Sequence, residues 1–177
     1  MPEAYVAAGS NVDPQRHLAL AAAELERAFG TLRCSPWYRN AAAGFVGTDF
    51  INFAVGFDTP LPVREVLAEL HRIEAVCGRP RDAPQWAPRT MDLDILLYDA
   101  EVRDEPGLVL PRPDLLRRAY MLGPLADIAP DLVHPVAGAT IGELWARFDR
   151  AAHPLVPVRP ALTSRRSGRR PRPGSAR

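Results

Sequence analysis

The 177-residue sequence contains no lysine, because all 22 of its basic residues are arginine. A phosphate-binding loop of the Walker A type needs a lysine, and so does catalysis through a lysine Schiff base. Both classes of mechanism are excluded. If the protein handles phosphate groups, arginine side chains and metal ions must do it.

Cysteine is scarce, and long apolar runs are missing. Cys34 and Cys77 show no metal-ligand spacing, and we interpret both as reduced core residues. No apolar run approaches the ~20 residues that a membrane helix needs. Residues 1–4 lack the basic and apolar regions of a secretory signal. We therefore expect a cytoplasmic protein.

Acidic residues are missing from the end of the chain. Residues 159–177 hold seven arginines and no acid, which leaves 15 arginines against 21 acids in residues 1–158. The longer part is predicted to be one folded domain. The shorter part, rich in Pro, Ser and Gly, is predicted to be a disordered tail. It fits either loose attachment to nucleic acid or a solvated segment without a specific role.

The apolar periodicity predicts the element order strand, helix, strand, strand, helix, strand. The predicted strands are residues 4–8, 31–38, 50–58 and 92–98, and the predicted helices are residues 14–29 and 62–77. Residues 40–49 are predicted to be a loop. This order is typical of an α+β fold of the ferredoxin-like βαββαβ sandwich type.

Further elements are predicted after this sandwich. Residues 101–110 resemble a hairpin, and residues 120–129 and 140–148 form a C-terminal helical extension. Thr140 with Glu143 has the spacing of a capping box. Asp13 before Pro14 has the pattern of a helix cap followed by proline at the first helical position.

The stretch of residues 86–99 carries the strongest chemical signal. In a strand, Asp92 and Asp94 point to the same side with their Cα atoms about 7 Å apart, while Leu93, Ile95 and Leu97 alternate with them. Two carboxylates so close repel each other unless a cation lies between them, and Mg²⁺ suits such a pair together with substrate phosphates. The alternative is that the two aspartates lie on the solvent-exposed face of a half-exposed sheet and bind no ion.

Residues 86–98, Trp-Ala-Pro-Arg-Thr-Met-Asp-Leu-Asp-Ile-Leu-Leu-Tyr, resemble the signature of the 6-hydroxymethyl-7,8-dihydropterin pyrophosphokinase family. The likeness covers roughly residues 4–148. It extends to Gly9-Ser10-Asn11, Phe50-Ile51-Asn52, Arg72-Ile73-Glu74, Gly78-Arg79 and the stretch from Arg118 to Leu125.

The resemblance implies an Mg-dependent ATP diphosphotransferase of folate biosynthesis. A diphosphoryl group would pass from the co-substrate ATP to the pterin hydroxymethyl oxygen, leaving AMP. Two Mg²⁺ ions would bridge the aspartates and the ATP phosphates. We expect a monomer that binds these two small molecules and neither a membrane nor, outside the tail, nucleic acid.

The resemblance also implies the residues of each subsite. The metal ligands would be Asp92 and Asp94, and the catalytic arginines Arg79, Arg81 and Arg89. The ATP site would comprise His71, Glu74, Arg89, Ile95, Arg112 and Arg118. The pterin site would comprise Asn40, Ala43, Phe50, Asn52, Trp86 and Tyr120.

Several positions depart from the family pattern. Ala87 stands where the family usually has Gly, His71 where it has Gln, and Arg112 where it has His. An alternative hypothesis is therefore a pterin- or nucleotide-binding relative with weak or lost activity. RNA binding by the ferredoxin-like sheet is disfavoured, because its strands lack the stacking aromatic pattern and the body is acidic.

Overall fold

The computed structural model describes residues 1–41, 47–78 and 91–160, which form four α-helices and eight strands. The helices are α1 Pro14–Phe29, α2 Val63–Val76, α3 Ala119–Ile128 and α4 Ile141–Arg147, with a short 3-10 helix at Pro113–Leu116. The strands are β1 Glu3–Ser10, β2 Arg33–Cys34, β3 Trp37–Asn40, β4 Phe50–Asp58, β5 Asp92–Tyr98, β6 Arg103–Glu105, β7 Leu108–Leu110 and β8 Val156–Val158.

The main sheet has the order β5-β1-β4-β3-β8, with β2 also paired to β4. Each of these pairings is antiparallel. β6 and β7 form a separate hairpin, which confirms the prediction for residues 101–110. The fold is therefore a mixed α/β arrangement around one antiparallel sheet.

One face of the sheet packs against α1 and α2. Because side chains alternate along a strand, β4 contributes Phe53, Val55 and Phe57 to this face, and β5 contributes Leu93 and Ile95. The helices contribute apolar stripes at helical spacing. These are Leu18, Ala21 and Leu25 of α1 and Val66, Leu70 and Ile73 of α2. Full burial of each large side chain stabilises the fold by about 1.5–3 kcal/mol.

The second face of the sheet is covered in part by α3 and α4. Tyr5 and Ala7 of β1 pack there with Met121 and Leu122 of α3 and Ile141 of α4. This second cluster is smaller than the first, and it leaves the end of the face near Asp92 and Asp94 to polar residues. The sheet therefore has one largely apolar face, on which Ser10 of β1 is buried, and one face that is apolar at one end and polar at the other.

One strand prediction and one loop prediction were wrong in detail. The second predicted strand is broken into β2 and β3 at Ser35–Pro36, because Pro36 has no N–H to donate. Ser35 bridges the break, since its Oγ accepts from Ala54 N at 2.9 Å and its own N donates to Ala54 O at 2.9 Å. The loop predicted from residue 40 begins later, because Asn40 pairs with Phe50.

One further expectation was wrong, and a second is confirmed for the cap position of Asp13 but not for a side-chain bond. The β1–β5 register shifts between Tyr5 and Val6, so that Leu97 packs in the second cluster instead of beside Leu93 and Ile95. Asp13 precedes α1 with φ 41° and makes no side-chain cap bond; its carboxylate lies 3.9 Å from Arg16 instead. Pro14 does begin the helix as predicted, and the capping box of Thr140 and Glu143 is confirmed.

Among the described residues, no helix combines the length and apolar character needed to cross a bilayer. The predicted tail, apart from its first two residues, lies outside the described residues.

Candidate active site

The two aspartates of β5 lie side by side on the partly covered face of the sheet. Asp92 is paired with Gly9 and Asp94 with Ala7, which places both side chains on the same face, as the alternation predicts. Both residues are half-buried. Their neighbours on β1 are small, so there is space above the sheet next to the carboxylates.

Asn52 extends the same row of side chains across the sheet. It is paired with Gly9 on one side and with Tyr38 on the other, which places it two strands from Asp92, about 10 Å away at the strand spacing. It is only 6% exposed. Gly9 is required here, because a Cβ at that position would collide with the Asn52 amide oxygen.

The amide of Asn52 is held by a second asparagine. Asn52 Nδ2 donates to Asn40 Oδ1 at 2.5 Å, and Asn40 Nδ2 donates to the carbonyl of Ala41 at 3.1 Å. The pair fixes which edge of Asn52 points up from the sheet. An oriented amide both donates and accepts, which is what is needed to recognise the amide-like edge of a heterocycle.

A cavity of about 320 Å³ opens beside this pair. Asn40 lines it from the end of β3 together with the next residue, Ala41, and Arg118 and Tyr120 line it from the start of α3. Burial raises the pKa of Tyr120, and the carboxylates of Asp114 and Asp94 act in the same direction against Arg118 and Arg112. Tyr120 therefore lines the cavity and is close enough to Asp94 for the two groups to interact electrostatically.

Arg112 provides positive charge next to the acidic pair. Its Nη1 lies 3.1 Å from Asp94 Oδ1 and its Nη2 lies 3.8 Å from Asp114 Oδ2. Its backbone N donates to Leu96 O at 2.9 Å, which fixes the arginine against β5. In the part of the chain that the structure describes, the buried Arg112 Nε has no hydrogen-bond partner, so the contacts that hold this guanidinium are those of its two terminal nitrogens.

Glu74 connects α2 to the start of β5. Its Oε1 accepts from the backbone N of Leu93 at 2.8 Å, between the two aspartates. This bond fixes the position of the strand segment from which both carboxylates project. A structural role of this kind is visible only in three dimensions.

The model of the family described as 7,8-dihydro-6-hydroxymethylpterin-pyrophosphokinase (HPPK) matches residues 5–130. The chain belongs to this family. A Synechocystis protein named 2-amino-4-hydroxy-6-hydroxymethyldihydropteridine pyrophosphokinase is 40% identical over 162 residues, which cover 90% of this chain and 82% of that protein. A Methylorubrum extorquens protein of the same name is 40% identical over 154 residues, or 84% and 95% of the two chains.

Solved structures support the fold. Plasmodium falciparum HPPK-DHPS, solved with SDX-DHP, matches with a TM-score of 0.65 and 14% identity over 82% of this chain. A second structure, HPPK-DHPS in complex with substrates, matches with a TM-score of 0.62 and 13% identity over 82% of this chain. The present chain spans 43% of each of those two chains.

Most of the described residues that the family resemblance implied lie on one side of the sheet. The residues around the acidic pair and the cavity are Asn40, Asn52, Asp92, Asp94, Arg112, Arg118 and Tyr120. Phe50 is paired with Asn40 at the end of the same sheet region. Asp114 and Arg117, which lines the cavity, were not anticipated.

Two predicted ATP residues lie elsewhere. His71 is exposed on α2, and the Ile95 side chain packs in the main core on the opposite face from Asp94. Their roles remain predictions. Ala43, Arg79, Arg81, Trp86 and Arg89 lie outside the described residues, and so does Ala87.

The donor set of the acidic pair fits Mg²⁺. Carboxylate oxygens are hard ligands, and Mg²⁺ in phosphate-transferring enzymes commonly takes one or two of them together with substrate phosphates and water. Within residues 1–41, 47–78 and 91–160, no group of three or more His, Cys, Asp or Glu side chains has the geometry to hold a metal ion.

Proposed function

We propose that the face carrying Asp92 and Asp94 is where this pyrophosphokinase transfers the diphosphate group of ATP to 6-hydroxymethyl-7,8-dihydropterin in folate synthesis. The observation that carries the proposal is the shared face of β5 and β1. It carries the two carboxylates, Arg112 pairs with Asp94, and Asn52 follows on β4 beside Gly9, next to the asparagine that lines the cavity.

The pterin is assigned to the cavity beside Asn52. In this proposal the Asn40–Asn52 pair presents a fixed donor and acceptor to the pterin edge, and Tyr120 and Phe50 offer flat faces to the ring. The depth of Asn52 beneath the surface supports this assignment. A buried amide that loses its ligand contacts costs free energy, so it discriminates well between ligands.

The ATP phosphates are assigned to the region between Asp94 and Arg112. Two Mg²⁺ ions held by Asp92 and Asp94 would neutralise the phosphate charge that flanks the attacked phosphorus. Arg112 and Arg118 would donate charge-assisted hydrogen bonds to phosphate oxygens. Arg79, Arg81 and Arg89 are proposed to join them, and Glu74 is proposed to act by fixing Leu93.

The scaffold for this site is proposed to be ferredoxin-like. The order β5-β1-β4-β3 of the four principal strands supports this, since it combines the predicted βαββαβ order with antiparallel neighbours. Residues 1–158 are proposed as the catalytic domain. Its boundary falls at the end of β8, and the remaining tail is proposed to have no catalytic part.

A second candidate is a binding protein with weak turnover. The ion pair between Arg112 and Asp94 favours it, because the arginine occupies a carboxylate that a metal ion would need. The two candidates differ in how fast AMP is released. If the arginine blocks the carboxylate, ATP and pterin bind but AMP accumulates slowly.

The test is to incubate the purified chain with ATP, Mg²⁺ and the hydroxymethyl dihydropterin, and to quantify AMP and the pterin diphosphate. The proposal expects equal amounts of both products, and no AMP when the pterin is omitted. Binding of the pterin without any AMP formation would support the second candidate. Absence of both binding and AMP would contradict the two candidates together.

A further inference from the structure

The segment after α4, residues 149–158, is called the strap here because it runs from α4 to the edge of the sheet. At one end, Ala152 N donates to Asp149 Oδ1 at 3.2 Å. At the other end, β8 pairs with β3, with Val156 opposite Arg39 and Val158 opposite Trp37. The strap is therefore attached to β3, the strand that also carries Asn40.

The middle of the strap separates two cavities. His153, Pro154 and Leu155 line the cavity beside Asn40 and Tyr120, and they also line a neighbouring cavity of about 290 Å³. On the far side, the second cavity is bounded by Tyr38 and Asp127. Tyr38 OH donates to Asp127 Oδ2 at 2.6 Å, and burial raises the pKa of Tyr38 to about 12, so the tyrosine stays protonated as a donor.

The middle of the strap packs against α3 at Gly123. A Cβ added at Gly123 would lie 2.9 Å from Leu155 Cδ1 and 3.0 Å from the Trp145 ring. Glycine inside a helix costs about 0.5–1 kcal/mol relative to alanine, but here it lets Leu155 pack directly on the helix backbone. The ring of His153 contacts the ring of Phe148, with the two centroids 5.7 Å apart.

We propose that His153 and Leu155 are specificity-determining residues, which form the wall of the pterin cavity on the side away from β4. This inference rests on the proposed function, since it takes the cavity beside Asn40 and Tyr120 as the pterin site. The wall is joined to β3 through β8 and packs on Gly123 of α3, so it limits how far a flat heterocycle extends beyond Tyr120.

Replacing His153 or Leu155 should weaken pterin binding and leave ATP binding unchanged. Removing either side chain joins the two cavities and takes away one surface that the pterin contacts. The acidic pair and Arg112 belong to β5 and the segment that follows it, whereas the strap packs against β3, α3 and α4. The dissociation constant of the pterin should therefore rise, while that of the nucleotide stays constant.

The experiment measures the dissociation constants of hydroxymethyl dihydropterin and of α,β-methylene-ATP with Mg²⁺ by calorimetry, for the full chain and for His153→Ala and Leu155→Ala. Val156→Ala is the matched control, because Val156 is an exposed strap residue that lines neither cavity. We expect a five- to tenfold weaker pterin affinity in the first two variants, nucleotide affinity within twofold of wild type, and no change in the control.

Three further measurements make the result decisive. In the AMP assay, His153→Ala should raise the KM for the pterin five- to tenfold, whereas the Val156→Ala control should keep the wild-type rate and KM. Gly123→Ala should weaken pterin affinity in the same way, because it displaces Leu155. Unfolding midpoints of every variant identify any general loss of structure.

Unchanged pterin affinity in both His153→Ala and Leu155→Ala overturns the inference, and so does an equal loss of pterin and nucleotide affinity. If the wild-type chain forms AMP and these variants bind pterin normally, only the inference fails. If the wild-type chain neither binds the pterin nor forms AMP, the proposed function fails first.

Discussion

The hydrogen bond between Asn40 and Asn52 gives the most detailed prediction. Asn40→Ala removes the oxygen that accepts from Asn52 Nδ2 at 2.5 Å. The backbone pairing of residue 40 with Phe50 does not depend on the side chain, so the strand should persist. The change therefore removes one hydrogen bond and leaves the buried amide of Asn52 without its fixed orientation.

The magnitude follows from burial. A hydrogen bond between neutral groups contributes about 0.5–1.5 kcal/mol to stability, and a buried donor left without a partner costs about 1–3 kcal/mol. Asn52 is almost fully buried, so we expect a loss of about 1–2 kcal/mol in the free energy of unfolding. Pterin binding must then also order the amide, which weakens the affinity by about 1 kcal/mol, or roughly fivefold.

The assay combines urea unfolding with calorimetric titration of the pterin and of α,β-methylene-ATP. Asn40→Asp is the matched control, because its carboxylate keeps an acceptor for Asn52 Nδ2 and should preserve most of the stability. Nucleotide affinity should stay within twofold in both variants. If Asn40→Ala leaves both stability and pterin affinity unchanged, the asparagine pair does not position the ligand, and the reasoning fails.

Two further predictions concern the scaffold. Leu70→Ala should lower the free energy of unfolding by about 2–5 kcal/mol in urea titrations, because Leu70 is fully buried beneath the sheet. The control is Leu20→Ala, since Leu20 is exposed. Equal losses in the two variants would contradict the packing of Leu70 in the core. Burial lowers the pKa of His134, whose Nδ1 accepts from the backbone N of Val136 and Ala137. The unfolded chain therefore takes up a proton first as the pH falls through about 6.5, and stability declines from there toward the lower folded pKa. His134→Asn keeps an acceptor that does not titrate, so its stability should depend less on pH between about 7 and 5, and an identical pH dependence would refute the assignment.

The sequence predicted the elements whose signal is local. The apolar spacing of residues 14–29 and the alternation in residues 50–58 give α1 and β4 with their observed bounds. The same alternation puts Asp92 and Asp94 on one face, as the β1–β5 register confirms. These patterns need only the period of a helix or a strand.

The errors arise where a distant partner decides the structure. The bulge at Tyr5 and Val6 comes from pairing between β1 and β5, and it moves Leu97 to the other face. β8 was not predicted, because Val156-Pro157-Val158 is short and becomes a strand only at the edge of β3, where a proline is tolerated.

In the candidate site, too, the sequence indicated some residues and missed those that depend on distant contacts. Family likeness indicated Asn52 and Tyr120 from the sequence, but it gave no sign of the strap. Leu155 is brought to the cavity by contacts with Gly123, and Tyr38 is joined to Asp127 across 89 positions of sequence. No short motif records such contacts, because each depends on the packing of the completed sheet.

The most direct test of the central claim is AMP formation from ATP and the hydroxymethyl dihydropterin by Asp92→Asn and Asp94→Asn, followed across a series of Mg²⁺ concentrations. Both substitutions keep the size of the side chain and remove its charge. Each variant is expected to bind the pterin with wild-type affinity but to lose nearly all AMP formation at every Mg²⁺ concentration. Wild-type rates and an unchanged Mg²⁺ dependence in either variant would contradict this expectation.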